Sequence, residues 1–131
     1  MYKKELESEI KNISIVEKLI DEICAEYQLN SDVYGKLLLA VVEGVNNAIV
    51  HGNKLDKNKR VYLEYQLSKD ELIFTITDEG EGFDYNNLPD PTTEENIEKS
   101  HGRGIFLMSH LTDKIEFNES GNQVKLFFSL S

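Results

Sequence analysis

The sequence predicts an α+β domain, a two-layer α/β sandwich in which helices pack against a sheet. Two segments, roughly residues 14–27 and 31–50, carry apolar residues at helical spacing. Two further pairs of segments are rich in β-branched and aromatic residues and are joined by short polar turns, a pattern typical of hairpins. No repeat or Pro/Gly/Ser-rich linker divides the 131 residues, so we expect one domain over 1–131.

The first elements are an edge strand and a helix. Residues 2–10 alternate loosely and predict the strand. Ser14, with Glu17 three residues later, predicts a capping box that opens a helix to about Tyr27. Its apolar stripe contains Val16, Leu19, Ile20, Ile23, Cys24 and Tyr27. We interpret Cys24 as inert packing in this stripe, and as a lone cysteine it cannot form an internal disulfide.

The second helix is longer. Ser31 is the expected N-cap, and the helix runs to about Val50. Its expected buried face contains Val33, Leu37, Leu38, Val41, Val45, Ala48 and Ile49. Gly52 follows His51 and can adopt the left-handed conformation that ends a helix.

The remaining elements are two hairpins and a short helix. Residues 61–67 and 72–77 predict the first hairpin, and residues 114–118 and 124–129 predict the second. Between them, residues 79–101 hold both prolines and are too long for an ordinary connection, so we expect a functional lid. A short helix from about Gly104 to Leu111 follows it.

Composition excludes several functions. The formal net charge of −10 argues against nucleic-acid binding, which needs lysine and arginine to neutralise phosphates. The longest wholly apolar run, Leu37–Val42, is far shorter than the ~20 residues of a membrane-spanning helix. The N-terminus leads into charged residues instead of a signal-peptide core. We therefore expect a cytoplasmic protein without a membrane partner.

Three local patterns could carry chemistry, and the first lies on the second helix. Glu43, Asn47 and His51 recur every four residues and share one helical face, which Asn46 flanks. One interpretation is a solvated polar stripe. The other is that the Asn47 amide oxygen helps to hold Mg²⁺ while Glu43 polarises an attacking water or hydroxyl.

The second pattern, residues 78–84, follows a predicted strand. Asp78 stands at the strand end, where its carboxylate can accept a hydrogen bond from an exocyclic amine such as adenine N6. Gly80 and Gly82 lack a Cβ and let the backbone approach a flat base. A solvated acidic turn is the alternative, and a Ca²⁺ loop is disfavoured because the EF-hand spacing is missing.

The third pattern is a glycine pair, Gly102 and Gly104, that opens the short helix. The free N–H groups at such a helix start favour phosphate, and Arg103 could add positive charge. It is neither a Walker A motif nor a dinucleotide fingerprint. Ordinary turn chemistry for the glycines and a surface ion pair for Arg103 are the alternatives.

In this order, the three patterns resemble the nucleotide site of the GHKL ATPases, whose Bergerat fold is shared by gyrase, heat-shock chaperones and sensor histidine kinases. The chain looks most like the small bacterial anti-sigma factor serine/threonine kinases within that superfamily. Residues 40–52 are similar to the family's N box, and residues 78–82 and 102–104 match its two G boxes. The likeness covers roughly residues 10–129 and implies a mixed, mainly antiparallel sheet with helices on one face.

The resemblance assigns roles to individual residues. It implies that Glu43 is the catalytic base, that Asn47 is the Mg²⁺ ligand and that Asp78 binds the adenine of ATP. The glycines of the motifs would shape the base pocket and flank the phosphates: Gly80 and Gly82 in the pocket, and Gly102 and Gly104 beside the phosphates.

The same resemblance makes the stretch 85–101 the ATP lid. Arg103 and Lys99 remain alternatives for the cation that contacts the γ-phosphate.

The function implied is an ATP-dependent protein kinase that binds a sigma factor and phosphorylates an anti-anti-sigma antagonist protein, acting as a homodimer. A non-catalytic nucleotide-binding module that sequesters a regulator is the alternative. A catalytic piece of a sensor histidine kinase is disfavoured, since 131 residues leave no room for a dimerisation helix pair. An acidic sandwich without a ligand is a further alternative and is disfavoured.

Overall fold

Five strands form one antiparallel sheet in the computed structural model, which describes residues 2–81 and 100–130, with only the backbone at 100–103. The spatial strand order is β1-β2-β3-β5-β4. The strands are β1 (Tyr2–Glu7), β2 (Arg60–Leu67), β3 (Glu71–Thr77), β4 (Lys114–Phe117) and β5 (Gln123–Ser129). The helices are α1 (Ile13–Glu26), α2 (Ser31–Asn47) and α3 (Ser100–Leu111). The two-layer α+β fold is confirmed, and all four strand pairings are antiparallel where a mixed sheet is expected.

The sheet buries one face against the helices. Alternate residues of β3 are buried, and each faces a buried residue of β5 across the sheet. The facing pairs are Leu72 with Phe128, Phe74 with Leu126, and Ile76 with Val124. The period-two alternation thus places one apolar side of β3 and of β5 in the core, as expected for these two predicted strands.

Helices α1 and α2 supply most of the other layer and follow the predicted stripes, except that Tyr27 caps the end of α1 and is 44% exposed, so its predicted place in the α1 stripe is wrong. The fully buried residues are Val16, Ile20 and Ile23 on α1, and Leu37, Ala40, Val41, Val45 and Ile49 on α2 and the turn after it. Cys24 is half-buried at the edge of this core, and burial raises the pKa of its thiol. Its interpretation as unreactive packing fits that direction, because the thiolate is the reactive form.

The starts of α1 and α2 differ from the sequence prediction. The chain enters α1 through a 3₁₀ turn, Ile10–Asn12, so Ser14 already lies inside the helix and its hydroxyl donates to the Lys11 carbonyl at 2.9 Å. The predicted capping box is therefore wrong. At α2, the Asn30 side chain accepts the Val33 N–H at 2.9 Å, one residue before the expected Ser31 cap.

Helix α2 continues into a π-helical turn, Ala48–Gly52. By length and composition, Ser31–Gly52 meets the criterion for a membrane span, unlike the short run considered from the sequence. In the fold it is the central helix of the layer, in contact with α1, α3 and the sheet. Gly44 permits that packing, because a Cβ there would lie 2.5 Å from Ile76 Cδ1 and 3.2 Å from Met108 Sδ.

The segment around the predicted lid is described in part. Gly82 and residues 85–99, including Lys99, lie outside the described residues. The third helix begins at Ser100 instead of Gly104, so Ser100 and His101, expected at the end of the lid, form its first turn.

Candidate nucleotide-binding site

The C-terminal half of α2 presents the first polar pair of the site. Glu43 and Asn47 lie one helical turn apart, and Asn47 is 7% exposed although it is polar. The π turn then carries the chain past His51, which together with Asn47 lines a cleft between the helices and the sheet. Burial lowers the pKa of the His51 imidazole and favours its neutral form.

The N-terminal part of α3 packs against Glu43 and Asn47. A Cβ built on Gly104 would lie 2.8 Å from Asn47 Nδ2 and 3.1 Å from Glu43 Oε2. A glycine at this position therefore lets the α3 backbone approach both side chains. The glycine-flanked helix start and the Glu43–Asn47 face, predicted separately, come together in the fold.

Asp78 enters the same cleft from the end of β3. Its Oδ1 accepts the Gly80 N–H at 2.8 Å. No described residue donates a hydrogen bond to the other carboxylate oxygen, Oδ2. Gly52 packs directly against this carboxylate, and Gly80 packs against the Gly52 carbonyl, so a Cβ on either glycine would overlap its neighbour. These contacts join the end of the N-box segment to the Asp78–Gly80 turn.

Burial dominates the electrostatics of Asp78. It raises the pKa of the carboxyl above its usual value, although the Gly80 N–H and the charge of Lys59 act in the opposite direction. A half-buried carboxylate with one oxygen engaged is suited to accept a hydrogen bond from an amine of a bound ligand. Perturbed carboxyls in clefts are frequent at functional sites.

The cleft itself has a volume of about 440 Å³, including the part that is open to solvent. Only about 40 Å³ of it can hold the centres of water-sized molecules, so the lining of the cleft and not its size points to a ligand. Apolar walls come from Ile76, Ile105, Met108, Phe117 and Val124, and the polar groups from Asn47, His51, Asp78, Asn122 and Gln123. An apolar slot with a few convergent polar groups fits a flat, amine-bearing base.

Two asparagines that the sequence analysis did not single out hold the site together. Asn53 is 1% exposed, and its side chain accepts the Glu79 N–H at 2.8 Å. At the β4–β5 turn, the Asn122 carbonyl accepts the Asp78 N–H at 2.9 Å. Each lies in a polar turn next to a predicted element, which is a weak sequence signal because turns commonly contain asparagine.

The third motif contains Gly102, Arg103 and Gly104, and for the first two the structure describes only the backbone. Gly102 and Arg103 lie in the first turn of α3, and Gly104, the fifth residue of the helix, follows them directly. Free N–H groups occur in the first turn of any helix, and here that turn directly precedes Gly104, which adjoins Asn47.

Asn47 is the described residue that best fits a magnesium ligand. Its buried Nδ2 has no hydrogen-bond partner among the described residues. Because a flip of the amide exchanges oxygen and nitrogen, either atom can occupy that unpaired position. No group of three or more His, Cys, Asp or Glu in the described ranges could hold a metal ion. A metal here would depend on Asn47, water and ligand oxygens, as Mg²⁺ commonly does.

Comparison with known protein families shows which family the chain belongs to. Residues 6–128 match the histidine kinase-like ATPase domain. The chain belongs to this family. The match covers nearly every described element, from the end of β1 to the end of β5.

Curated members of the family are similar over most of the chain. The serine-protein kinase RsbW of Bacillus subtilis is 28% identical over 123 residues, which cover 87% of this chain and 76% of the relative. The anti-sigma F factor of Oceanobacillus iheyensis is 32% identical over 106 residues, covering 76% of this chain and 72% of the relative. The family resemblance inferred from the motifs is thereby confirmed.

Solved structures share the family fold. The RsbU and RsbW domains of Rv1364c from Mycobacterium tuberculosis superpose with a TM-score of 0.65 at 14% identity, covering 98% of this chain and 32% of that one. The histidine kinase domain of a blue-light activated kinase from Erythrobacter litoralis gives a TM-score of 0.53 at 14% identity, with 95% and 62% covered. This chain spans about a third of the first structure.

Proposed function

We propose that this protein is an ATP-dependent serine/threonine protein kinase that also acts as an anti-sigma factor. Family membership and relatives named as a serine-protein kinase and as an anti-sigma F factor support this function. The structural observation that carries it is the meeting of three elements at one cleft. Those elements are α2 at Asn47, β3 at Asp78, and the N-terminal half of α3 at Ile105, with Glu43 beside Gly104.

The base of ATP would bind beside Asp78. Its Oδ1 is held by the Gly80 N–H, so Oδ2 is left to accept a hydrogen bond from the exocyclic amine of adenine. The apolar walls, including Ile76 and Met108, would contact the ring faces. Gly80, and Gly82 beyond the described residues, complete this part of the proposed pocket.

The phosphates would lie between Asn47 and the first turn of α3. Gly102 and Arg103 lie in that turn, whose free backbone N–H groups favour an anion, and Gly104 lets this end of α3 approach Asn47. Asn47 would hold Mg²⁺, which offsets negative charge on the phosphates. The unpaired, buried amide of Asn47 is the feature that fits this role.

Glu43 would act as the catalytic base. Its carboxylate adjoins Gly104, on the side of the cleft where the γ-phosphate would lie. As Glu43 takes the proton of an acceptor serine or threonine, the hydroxyl oxygen bonds to the γ-phosphorus. The bond from that phosphorus to the β,γ-bridging oxygen breaks and ADP leaves. Positioning and charge stabilisation by the residues around the phosphates supply most of the catalysis in such transfers.

The partners proposed are a sigma factor, which the protein would silence, and an anti-anti-sigma protein, which it would phosphorylate. We further propose that it works in the cytoplasm as a homodimer, with residues 1–131 forming one domain and 85–101 the lid. Its net charge of −10 would complement a basic surface on the sigma factor and disfavours direct nucleic-acid binding.

Phosphotransfer from γ-labelled ATP into the proteins of a source-cell lysate tests this function. Wild type is expected to label one small protein on serine or threonine, identified by mass spectrometry. Glu43→Ala is expected to lower the labelling rate by about a hundredfold or more, as loss of a general base does. Glu22→Ala removes an exposed glutamate from α1 and should label at the wild-type rate.

Equal labelling by wild type and Glu43→Ala would contradict the kinase proposal. MgATP binding without any Glu43-dependent label would favour the partner-sequestering module. Label on a histidine of this chain would instead point to histidine kinase chemistry.

A further inference from the structure

We propose that Asn53 is a positioning residue that sets the protein's selectivity for the adenine base by holding the Asp78 turn. This proposal rests on the proposed function, since it concerns how the same cleft would recognise ATP. Asn53 follows the π turn, contacts no ligand position of the cleft itself, and is 1% exposed.

The two ends of the Asn53 amide have different partners. Its Nδ2 donates to Ser8 Oγ and to the Arg60 carbonyl, both at 2.9 Å. Its Oδ1 accepts the Glu79 N–H at 2.8 Å. The nitrogen end therefore anchors Asn53 to the β1 and β2 side of the sheet, and the oxygen end holds the turn after β3.

The oxygen end acts on the base-recognising carboxylate. Glu79 lies between Asp78 and Gly80, and the Gly80 N–H orients Asp78 Oδ1 at 2.8 Å. The Asn53 contact therefore fixes the Asp78–Glu79 peptide, which directly precedes the peptide that delivers the Gly80 N–H to Asp78. Without the Asn53 oxygen, the Glu79 N–H loses its partner and the turn can rotate away from Gly52.

Asn53 does not hold the turn alone, which makes a selective effect possible. The Glu79 carboxylate accepts the Arg60 N–H at 2.5 Å and the Tyr62 hydroxyl at 3.2 Å. These contacts keep the turn attached to the sheet when Asn53 is altered. The expected consequence is a misplaced Asp78 carboxylate in a folded protein.

Comparison of ATP with inosine triphosphate isolates this effect. The two nucleotides differ at the purine 6-position, where the amine donor of ATP is replaced by an oxygen acceptor, and at N1, where the acceptor of ATP becomes a donor. Calorimetric titration in Mg²⁺ should show that wild type prefers ATP. Asn53→Ala should weaken ATP binding by about tenfold, the contribution of one hydrogen bond, and leave inosine triphosphate binding unchanged.

Two controls separate positioning from general loss of stability. Ser8→Ala removes a partner of the Asn53 nitrogen but leaves the Glu79 contact, so it should retain the ATP preference whatever its melting temperature. Asp78→Asn should abolish the preference. If wild type binds no ATP or Asp78→Asn keeps the preference, the proposed site fails and this proposal fails with it.

If Asp78→Asn loses the preference while Asn53→Ala keeps it, the role of Asn53 is refuted and the site survives. An equal loss in Ser8→Ala and Asn53→Ala would also refute it, because it would signal general destabilisation. Should Asn53→Ala not fold, Asn53→Asp decides the question. This variant keeps an oxygen for the Glu79 N–H, so retention of the ATP preference supports the proposal and its loss overturns it.

Discussion

Gly104 lies against Asn47, so close that a Cβ on the glycine would stand 2.8 Å from the Asn47 side-chain nitrogen. The two residues are far apart in the chain, one at the start of α3 and the other at the end of α2. Their contact joins the helix start that would receive phosphate to the amide that would hold Mg²⁺. The nucleotide site thus depends on the packing of α3 against α2.

Gly104→Ala is expected to impair the site more than the fold. The new methyl would displace the ends of two side chains, Asn47 and Glu43, which can rotate at small cost to stability. MgATP affinity and phosphotransfer rate should each fall by about tenfold or more, while the melting temperature changes by a few degrees at most.

Gly35→Ala is the matched control, since nothing lies within 4 Å of a Cβ built at this position of α2. It should raise stability by up to about 1 kcal/mol through helix propensity and leave activity unchanged. A Gly104→Ala variant with wild-type affinity and rate would contradict the close packing described for the site.

Asn47→Ala is expected to remove the Mg²⁺ dependence of ATP binding. In wild type, adding Mg²⁺ to a chelator-treated sample should strengthen ATP binding, because the amide oxygen contributes to the metal's coordination. Without that oxygen, the affinities measured with and without Mg²⁺ should converge. Asn46→Ala changes the neighbouring amide and should keep the wild-type dependence; if both variants behave alike, Asn47 is not the ligand.

Asp78→Asn is expected to stabilise the protein at neutral pH while it weakens nucleotide binding. Burial raises the pKa of Asp78, so the folded state binds the proton more tightly than the unfolded state does. The ionised carboxylate therefore costs stability, and that cost grows as pH rises from about 4, the unfolded pKa, through the raised folded pKa. Asparagine carries no charge, and its oxygen can still accept the Gly80 N–H.

Urea unfolding of both proteins as a function of pH measures this difference. The variant's advantage should appear as pH rises through that window and persist at pH 7. If the variant's gain in unfolding free energy were largest in acid, or if the variant were less stable than wild type at pH 7, the assigned direction of the pKa shift would be contradicted.

Asn30→Ala is expected to cost about 1 kcal/mol of unfolding free energy, the usual contribution of an N-cap. Its side chain accepts the Val33 N–H, whereas Ser31 already lies in the helix. Ser31→Ala should change stability by less than about half that amount. Chemical denaturation of the two variants distinguishes the caps, and a larger effect at Ser31 would restore the cap predicted from sequence.

The sequence predicts those parts of the fold that depend on local patterning. Alternation in residues 61–67 and 72–77 identifies β2 and β3, and helical spacing identifies the buried faces of α1 and α2. Exact starts are less predictable, because adjacent residues such as Asn30 and Ser31 are both good caps. At α1, the 3₁₀ turn Ile10–Asn12 precedes the helix, so the predicted Ser14 cap lies inside the helix.

The site was predictable as three motifs but not as one assembled cleft. Contacts such as Gly104 with Asn47 and Gly52 with Asp78 join residues distant in sequence, and no local pattern encodes them. The position of β5 between β3 and β4 likewise depends on pairing between residues distant in sequence. It brings Asn122 next to Asp78. Asn53 was missed because its three partners lie on three different segments.

The central claim is that the cleft between α2, α3 and the end of β3 binds MgATP. Calorimetric titration of wild type and Asp78→Asn with MgATP tests it most directly. We expect one nucleotide bound per chain in wild type, with affinity at least about tenfold weaker in the variant, because a hydrogen bond to a charged group is lost. A silent titration of folded wild type, or equal affinity in the two proteins, would contradict the account.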